Sequence, residues 1–295
     1  MEFKLKGLGV ALVTPFDKNG AVDFAALERV TKYVTAGGVD YLVVMGTTGE
    51  TPTLTPYEKR EVLSCVKRVN GGRKPIVVGV GGNDTAHVVE MIAQTDLDGV
   101  EAILSVTPYY NRPSQRGLYE HYKYLAERSP RPIILYNVPS RTGVNMEAET
   151  TLRIAADCPN VVAIKEASGK IDQISEIIAR RPEGFYVISG DDSMALALIK
   201  AGGDGLISVA ANAFPSYFET LVREQFAGSY ELTERMWSKI QPTVKMLFAE
   251  GNPPGVKAAM AAQGLIENVL RLPLVPVSDQ LYGQIESAIG ENGFK

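Results

Sequence analysis

The chain has 295 residues, enough for one large domain with a sizeable core, and its 45% hydrophobic and 22% charged content is that of a soluble globular protein. A net charge of −4 with no dense Lys/Arg patch excludes a typical phosphate-backbone binder, so no nucleic-acid partner is expected. Two histidines cannot build a His-rich metal cluster, and the two cysteines, Cys65 and Cys158, suit a reduced cytoplasmic setting better than a disulfide framework.

Met1–Gly9 carries Lys4 and Lys6 but no long apolar run follows, so it does not read as a signal peptide. No later segment approaches the roughly 20 apolar residues that span a bilayer. From there, short β-branched runs alternate with stretches of helical periodicity. Gly9–Val13 predicts a strand, and Asp23–Ala36 a helix with Phe24, Leu27, Val30 and Val34 on one face. Strand and helix signals then alternate as Tyr41–Met45 and Pro56–Val69, Ile76–Val80 and Thr85–Gln94, Ala102–Val106 and Gln115–Glu127. The pattern continues with Ile133–Asn137 and Glu147–Ala156, Val161–Lys165 and Ile171–Arg180, Tyr186–Ser189 and Ser193–Ala201, Gly205–Val209 and Ser216–Phe226. Asp23, Thr55, Asp84, Ser114 and Asp192 stand where helix caps are needed.

The strand runs are nearly continuously apolar, as in parallel strands covered on both faces. Eight such units predict an α/β chain closed as a (β/α)8 barrel over 1–228, the catalytic part. The competitor is an open doubly wound sheet, but Gly79-Val80-Gly81-Gly82-Asn83-Asp84 lacks the third glycine of a dinucleotide loop. After Gly228 the strand signals stop. Tyr230–Glu250, Val256–Gln263 and Asp279–Ile289 predict a C-terminal helical appendix over 229–295, with Gly251-Asn252-Pro253-Pro254-Gly255 as a turn.

Barrel active sites lie at the C-terminal strand ends. Lys165 is the only lysine at any of the eight ends. Alternation puts it on the face of Ala163, and an amine facing the barrel mouth loses hydration, which favours its neutral, nucleophilic form. The competing reading is a lysine snorkelling to the rim or paired with Glu166. Tyr136 ends the neighbouring strand, within reach of whatever Lys165 attacks, and a phenol can shuttle protons if a hydroxyl such as Thr47, Tyr109 or Tyr110 relays them. Alone, Tyr136 reads equally as a core aromatic. Gly46-Thr47-Thr48-Gly49-Glu50 offers backbone N–H groups and two hydroxyls to a small carboxylate, or is an ordinary turn. Arg141 could hold a second carboxylate, or sit on the surface. Asp191 and Asp192, after the seventh strand, argue against a phosphorylated substrate.

Gly46-Thr47-Thr48-Gly49-Glu50, Tyr136-Asn137-Val138-Pro139-Ser140-Arg141-Thr142-Gly143 and Ile164-Lys165-Glu166-Ala167 together resemble the N-acetylneuraminate lyase/dihydrodipicolinate synthase superfamily, and within it the synthase branch. Thr107-Pro108-Tyr109-Tyr110-Asn111-Arg112-Pro113 and Ser189-Gly190-Asp191-Asp192 extend the match over nearly the whole chain. The resemblance implies a lyase that joins pyruvate to L-aspartate 4-semialdehyde through a lysine Schiff base, giving 4-hydroxy-tetrahydrodipicolinate on the route to diaminopimelate and lysine. Lys165 would form the imine. Tyr136 would donate and accept protons, relayed through Thr47 and through Tyr110 of a neighbouring subunit. Thr48 would hold the pyruvate carboxylate, Arg141 the aldehyde's carboxylate, and the carbonyls of Gly190 and Ile207 would line the site. No metal or dissociable cofactor is implied, and the assembly would be a homotetramer of tight dimers. The paired threonines and Arg141 favour the synthase over a sialic-acid or 2-keto-3-deoxy sugar acid lyase. The combination of Lys165, Tyr136 and Thr47 counts against a non-catalytic sensor barrel. Lysine-inhibited relatives carry two histidines after the Gly-Thr-Thr-Gly-Glu turn and a glutamate after the asparagine that Asn83 matches. Pro56, Lys59 and His87 stand there instead, which predicts weak or absent lysine inhibition, although Asn83 and Tyr109 match.

Overall fold

The computed structural model describes residues 5–293, so Met1–Lys4 of the leading segment read above lie outside the described residues. Eight strands close into a parallel barrel in chain order: β1 (Gly7–Ala11), β2 (Tyr41–Val44), β3 (Ile76–Gly79), β4 (Ala102–Val106), β5 (Ile133–Asn137), β6 (Val161–Glu166), β7 (Tyr186–Ser189) and β8 (Gly205–Ser208). Closure removes the open-sheet alternative. Between them run α1 (Phe24–Ala36), α2 (Pro56–Asn70), α3 (Thr85–Gln94), α4 (Gln115–Ala126), α5 (Pro139–Thr142), α6 (Ala148–Asp157), α7 (Ile171–Arg180) and α8 (Ala195–Lys200). After β8 come α9 (Pro215–Phe226), α10 (Tyr230–Ala249), α11 (Pro254–Ala262) and α12 (Asp279–Asn292).

Local chemistry sets most of these boundaries. Asp23 accepts the Ala26 N–H at 2.9 Å, Asp84 those of Ala86 and His87, and Ser114 that of Gly117. Thr55 and Glu58 form a reciprocal capping box at the start of α2. Asp192 is the exception. The helix expected from Ser193 begins at Ala195, with Met194 at its cap position making no side-chain cap bond. Asp191 intervenes: its Oδ1 takes the Ser193 N–H at 2.8 Å and the Ser193 hydroxyl at 2.7 Å, a local turn that competes with the helix. Asp192 is buried instead.

The first strand also lies two residues earlier than the apolar run suggests. Gly7 N–H donates to the Asp204 carbonyl at 2.9 Å, and a Cβ on Gly205 would sit 2.1 Å from the Gly7 carbonyl oxygen. Two glycines therefore let the backbones approach where β1 starts. At the other end, Val13 leaves the ladder and gives its N–H to Asn212 Oδ1 at 3.1 Å.

Two compact units make up the chain. The first comprises residues up to Gly7 and Pro75–Ile207. In it β3 through β7 pair in sequence, and α4 packs on α6, and α6 on α7. Ile133, Ile134 and Leu135 of β5 are fully buried, each worth about 1.5–3 kcal/mol of hydrophobic transfer. The second unit comprises Leu8–Lys74 and the described residues from Ser208 onward. Here α1 packs on α2, and α11 on both α10 and α12.

Candidate active site

In the first unit, β5 and β6 are parallel partners with Tyr136 opposite Lys165 and Ile134 opposite Ala163. The ladder skips Val162, since Ile133 pairs with Val161. Beyond that irregularity the two-residue alternation holds, and adjacent parallel positions face the same way. Lys165 is only 5% exposed and Tyr136 7%, and the lysine Nζ lies 4.3 Å from the centroid of the Tyr136 ring. The amine is therefore held inside against a phenol rather than snorkelling into solvent. Gly190, just past β7, makes room for it. A Cβ there would come within 2.8 Å of Lys165 Cε and 3.0 Å of its Cγ.

Glu166 follows on the opposite face of β6 and is not the lysine's counter-ion. Its carboxylate accepts hydrogen bonds from Asn137 Nδ2 at 3.0 Å, Gln173 Nε2 at 2.9 Å and the Ser168 N–H at 3.1 Å. Burial pushes the Glu166 carboxyl above the ordinary carboxylate range, against these hydrogen bonds, which pull it down. Asn137 also ties β5 to the segment before α6. Its Nδ2 donates to Asn145 Oδ1 at 3.0 Å and its Oδ1 accepts the Met146 N–H at 3.0 Å. This network braces the two strand ends that carry Tyr136 and Lys165.

In the second unit, β2 runs into a tight 3₁₀ turn, Thr47–Gly49. Met45 (φ +58°) and Glu50 (φ +51°) flank it in left-handed backbone, at a cost of about 1–2 kcal/mol each. Something must hold such a turn. Thr14 Oγ1 donates to the Gly49 carbonyl at 2.8 Å, and Thr51 Oγ1 to that of Gly46 at 2.9 Å. Asn252 Nδ2 donates to Thr48 Oγ1 at 3.1 Å. The Glu50 carboxylate pairs with the Lys257 ammonium, both side chains fully buried, and accepts the Arg271 N–H at 3.1 Å.

Arg271 also clasps the Glu58 carboxylate and donates to the carbonyls of Thr53 at 2.9 Å and Gly20 at 2.8 Å. Both cations lie on the Phe16 ring, Lys257 Nζ at 4.2 Å and Arg271 Cζ at 4.4 Å from its centroid. Burial pulls Lys257 down to about 8, opposed by the neighbouring Glu50 charge. Hydrogen bonding from Arg271 holds Glu58 at about 2. The sequence reading missed Asn252, Lys257 and Arg271. A signal existed: Lys257 is the one charge in the apolar helix α11, and a cation there needs a buried anion.

The remaining candidates come from several elements. Thr48 is buried and Thr47 half-buried, while Ile207 lies fully buried in β8. Arg141 is exposed on α5, a single helical turn in what reads from sequence as a loop. Tyr110 is 89% exposed with φ +74°, so within one chain it is not gathered with Tyr136 and Lys165.

A buried strand-end amine resting on a phenol, at the rim of a closed parallel barrel, defines a class of Schiff-base-type (β/α)8 proteins. More narrowly, the chain belongs to the dihydrodipicolinate synthetase family, whose model matches residues 4–292. It is 49% identical to a 4-hydroxy-tetrahydrodipicolinate synthase of Parabacteroides distasonis, over 100% of this chain and 99% of that one. It superposes on the dihydrodipicolinate synthase of Thermotoga maritima with a TM-score of 0.96 at 44% identity, covering 100% of both chains. The chloride-inhibited dihydrodipicolinate synthase of Acinetobacter baumannii, solved in complex with pyruvate, matches with a TM-score of 0.95 at 38% identity, over 99% of this chain and 100% of that one.

Proposed function

We propose that this chain condenses pyruvate with L-aspartate 4-semialdehyde to give 4-hydroxy-tetrahydrodipicolinate, with Lys165 as the imine-forming group. The observation that carries the reading is the buried Lys165 amine 4.3 Å from the Tyr136 ring, in a chain whose family and nearly half-identical relatives carry this activity's name. The Lys165 amine adds to the ketone carbon of pyruvate and water leaves, giving an iminium. The iminium withdraws electrons, so the methyl group gives up a proton and becomes an enamine carbon. That carbon attacks the aldehyde of the second substrate, whose oxygen takes a proton. The second substrate's amino group then adds to the imine carbon and expels the Lys165 amine, closing the ring.

The residue roles follow the family resemblance. Tyr136 moves the protons, with Thr47 and a neighbouring subunit's Tyr110 as its relay. Thr48 receives the pyruvate carboxylate, Arg141 that of the aldehyde, and the Gly190 and Ile207 carbonyls line the site. A homotetramer of dimers and a cytoplasmic location complete the reading. Among the described residues no helix is long and apolar enough to cross a membrane, and the two cysteines are free and buried.

Borohydride reduction in the presence of pyruvate tests the chemistry. One pyruvate-derived mass should appear on the Lys165 peptide and vanish in Lys165→Ala. Consumption of pyruvate should require aspartate semialdehyde, and sialic acid should release no pyruvate. An unlabelled Lys165 peptide would sink the imine.

A further inference from the structure

Thr48 and Asn252 lie 204 positions apart in sequence, yet the Asn252 amide donates to Thr48 Oγ1 at 3.1 Å in a buried setting. A threonine hydroxyl has one hydrogen to give and lone pairs to receive. When the amide occupies a lone pair, the hydroxyl hydrogen must be aimed at a different acceptor. The same carboxyl-terminal region fixes the backbone beneath that hydroxyl, because Lys257 and Arg271 hold Glu50, which ends the turn in left-handed backbone. Orientation and position of one hydroxyl are thus both set from the segment Asn252–Arg271.

We infer that Asn252 is a positioning residue for substrate-carboxylate recognition, acting through Thr48 by presetting its hydroxyl as a donor to an anionic oxygen. The inference rests on the proposed pyruvate chemistry and deepens it. Asn252 itself touches no reacting atom. Its work is done before substrate arrives: a hydroxyl already aimed at the carboxylate loses no rotational freedom on binding, and one left to rotate does. The effect belongs to ground-state binding of the carboxylate and leaves imine formation at Lys165 untouched, so it separates concentration dependence from maximal extent.

The test measures borohydride-trapped adduct on Lys165 of the full chain over a range of pyruvate concentrations, with hydroxyacetone as a ketone lacking the carboxylate. In Asn252→Ala the half-saturating pyruvate concentration should rise about tenfold, as for loss of one oriented hydrogen bond to a charged group. Maximal labelling and the hydroxyacetone dependence should match the unaltered chain. Asn252→Asp, similar in size but without the donor at neutral pH, should weaken pyruvate at least as much. In a Thr48→Val background Asn252→Ala should add no further rise, because the hydroxyl through which it acts is gone. An unchanged pyruvate dependence in Asn252→Ala, an equal weakening of hydroxyacetone, or an additive loss in the double variant would each overturn the inference while leaving the Lys165 chemistry standing. Absence of adduct in the unaltered chain overturns the imine reading, and this inference with it.

Discussion

Gly190 illustrates how one missing side chain can decide where an amine lies. The Lys165 side chain passes through the space that a Cβ at Gly190 would fill, at 2.8 Å from Cε. Gly190→Ala must push the amine off the Tyr136 ring, and small misplacements of a reacting group cost about 100-fold in rate. Single-turnover imine formation should fall by roughly that factor while the thermal midpoint changes little, since the displaced atoms are the flexible end of a side chain. Normal trapping kinetics in that variant would show that the lysine's path is not confined. Tyr136→Phe separates a second role. The ring against Lys165 is kept, so pyruvate should still be trapped, but if the Tyr136 hydroxyl carries protons as proposed, turnover should drop by about 10²–10⁴-fold. Steady-state rates set beside trapping yields give the answer. Both residues could be picked out from their strand-end positions. Gly190 was expected to offer a carbonyl, and its need for a missing Cβ appears only once Lys165 is seen packed against it.

At the scale of elements, the turn after β2 and the start of α2 depend on the Arg271–Glu58 pair. The Glu58 carboxyl is held at about 2, below its ordinary 4.5, first by hydrogen bonding to Arg271. A lowered folded-state value means the unfolded chain takes up the proton first. The pair's contribution is therefore complete above about 4.5 and is lost as pH falls from there through about 2. Glu58→Gln should lower the thermal midpoint near neutrality and flatten its fall below pH 4.5, a comparison that scanning fluorimetry across acidic buffers makes directly. Parallel midpoints in both proteins at every acidic pH would remove the pair from the account. Local patterns predicted four of the five helix caps correctly. They misplaced β1 and the start of α8, because a close approach of Gly7 and Gly205 in one case and a turn at Asp191 in the other outweigh hydrophobic periodicity.

For the molecule as a whole, Tyr110 raises the question of assembly. It carries left-handed backbone and an almost fully exposed ring. If it serves a neighbouring subunit's site, Tyr110→Phe and Lys165→Ala should each be nearly inactive. Mixing the two should then restore activity, since a mixed dimer unites an intact lysine with an intact tyrosine. Failure of the mixture to regain activity, with dimers shown by sedimentation, would confine each site to its own chain. Regulation belongs to the same scale. Lys59 and His87 replace the residue types that the resemblance associates with lysine inhibition, and His87 instead meets Glu90 on its own helix at 3.5 Å. Titration with lysine at saturating pyruvate should leave the rate unchanged, and a submillimolar inhibition constant would refute this.

The order of eight strand–helix units, the lysine and tyrosine on neighbouring strand ends and the caps of α1 to α4 were legible in the amino-acid order, because each depends on residues near one another in the chain. What only the folded molecule decided was support: which side chain passes over Gly190, which groups neutralise Lys257, and which amide donates to the Thr48 hydroxyl. These choices join residues as many as 204 or 221 positions apart, as Asn252 to Thr48 and Arg271 to Glu50. No periodicity records such a pairing, since a hydrogen-bond partner is selected by proximity in space and by the cost of leaving a buried polar group alone.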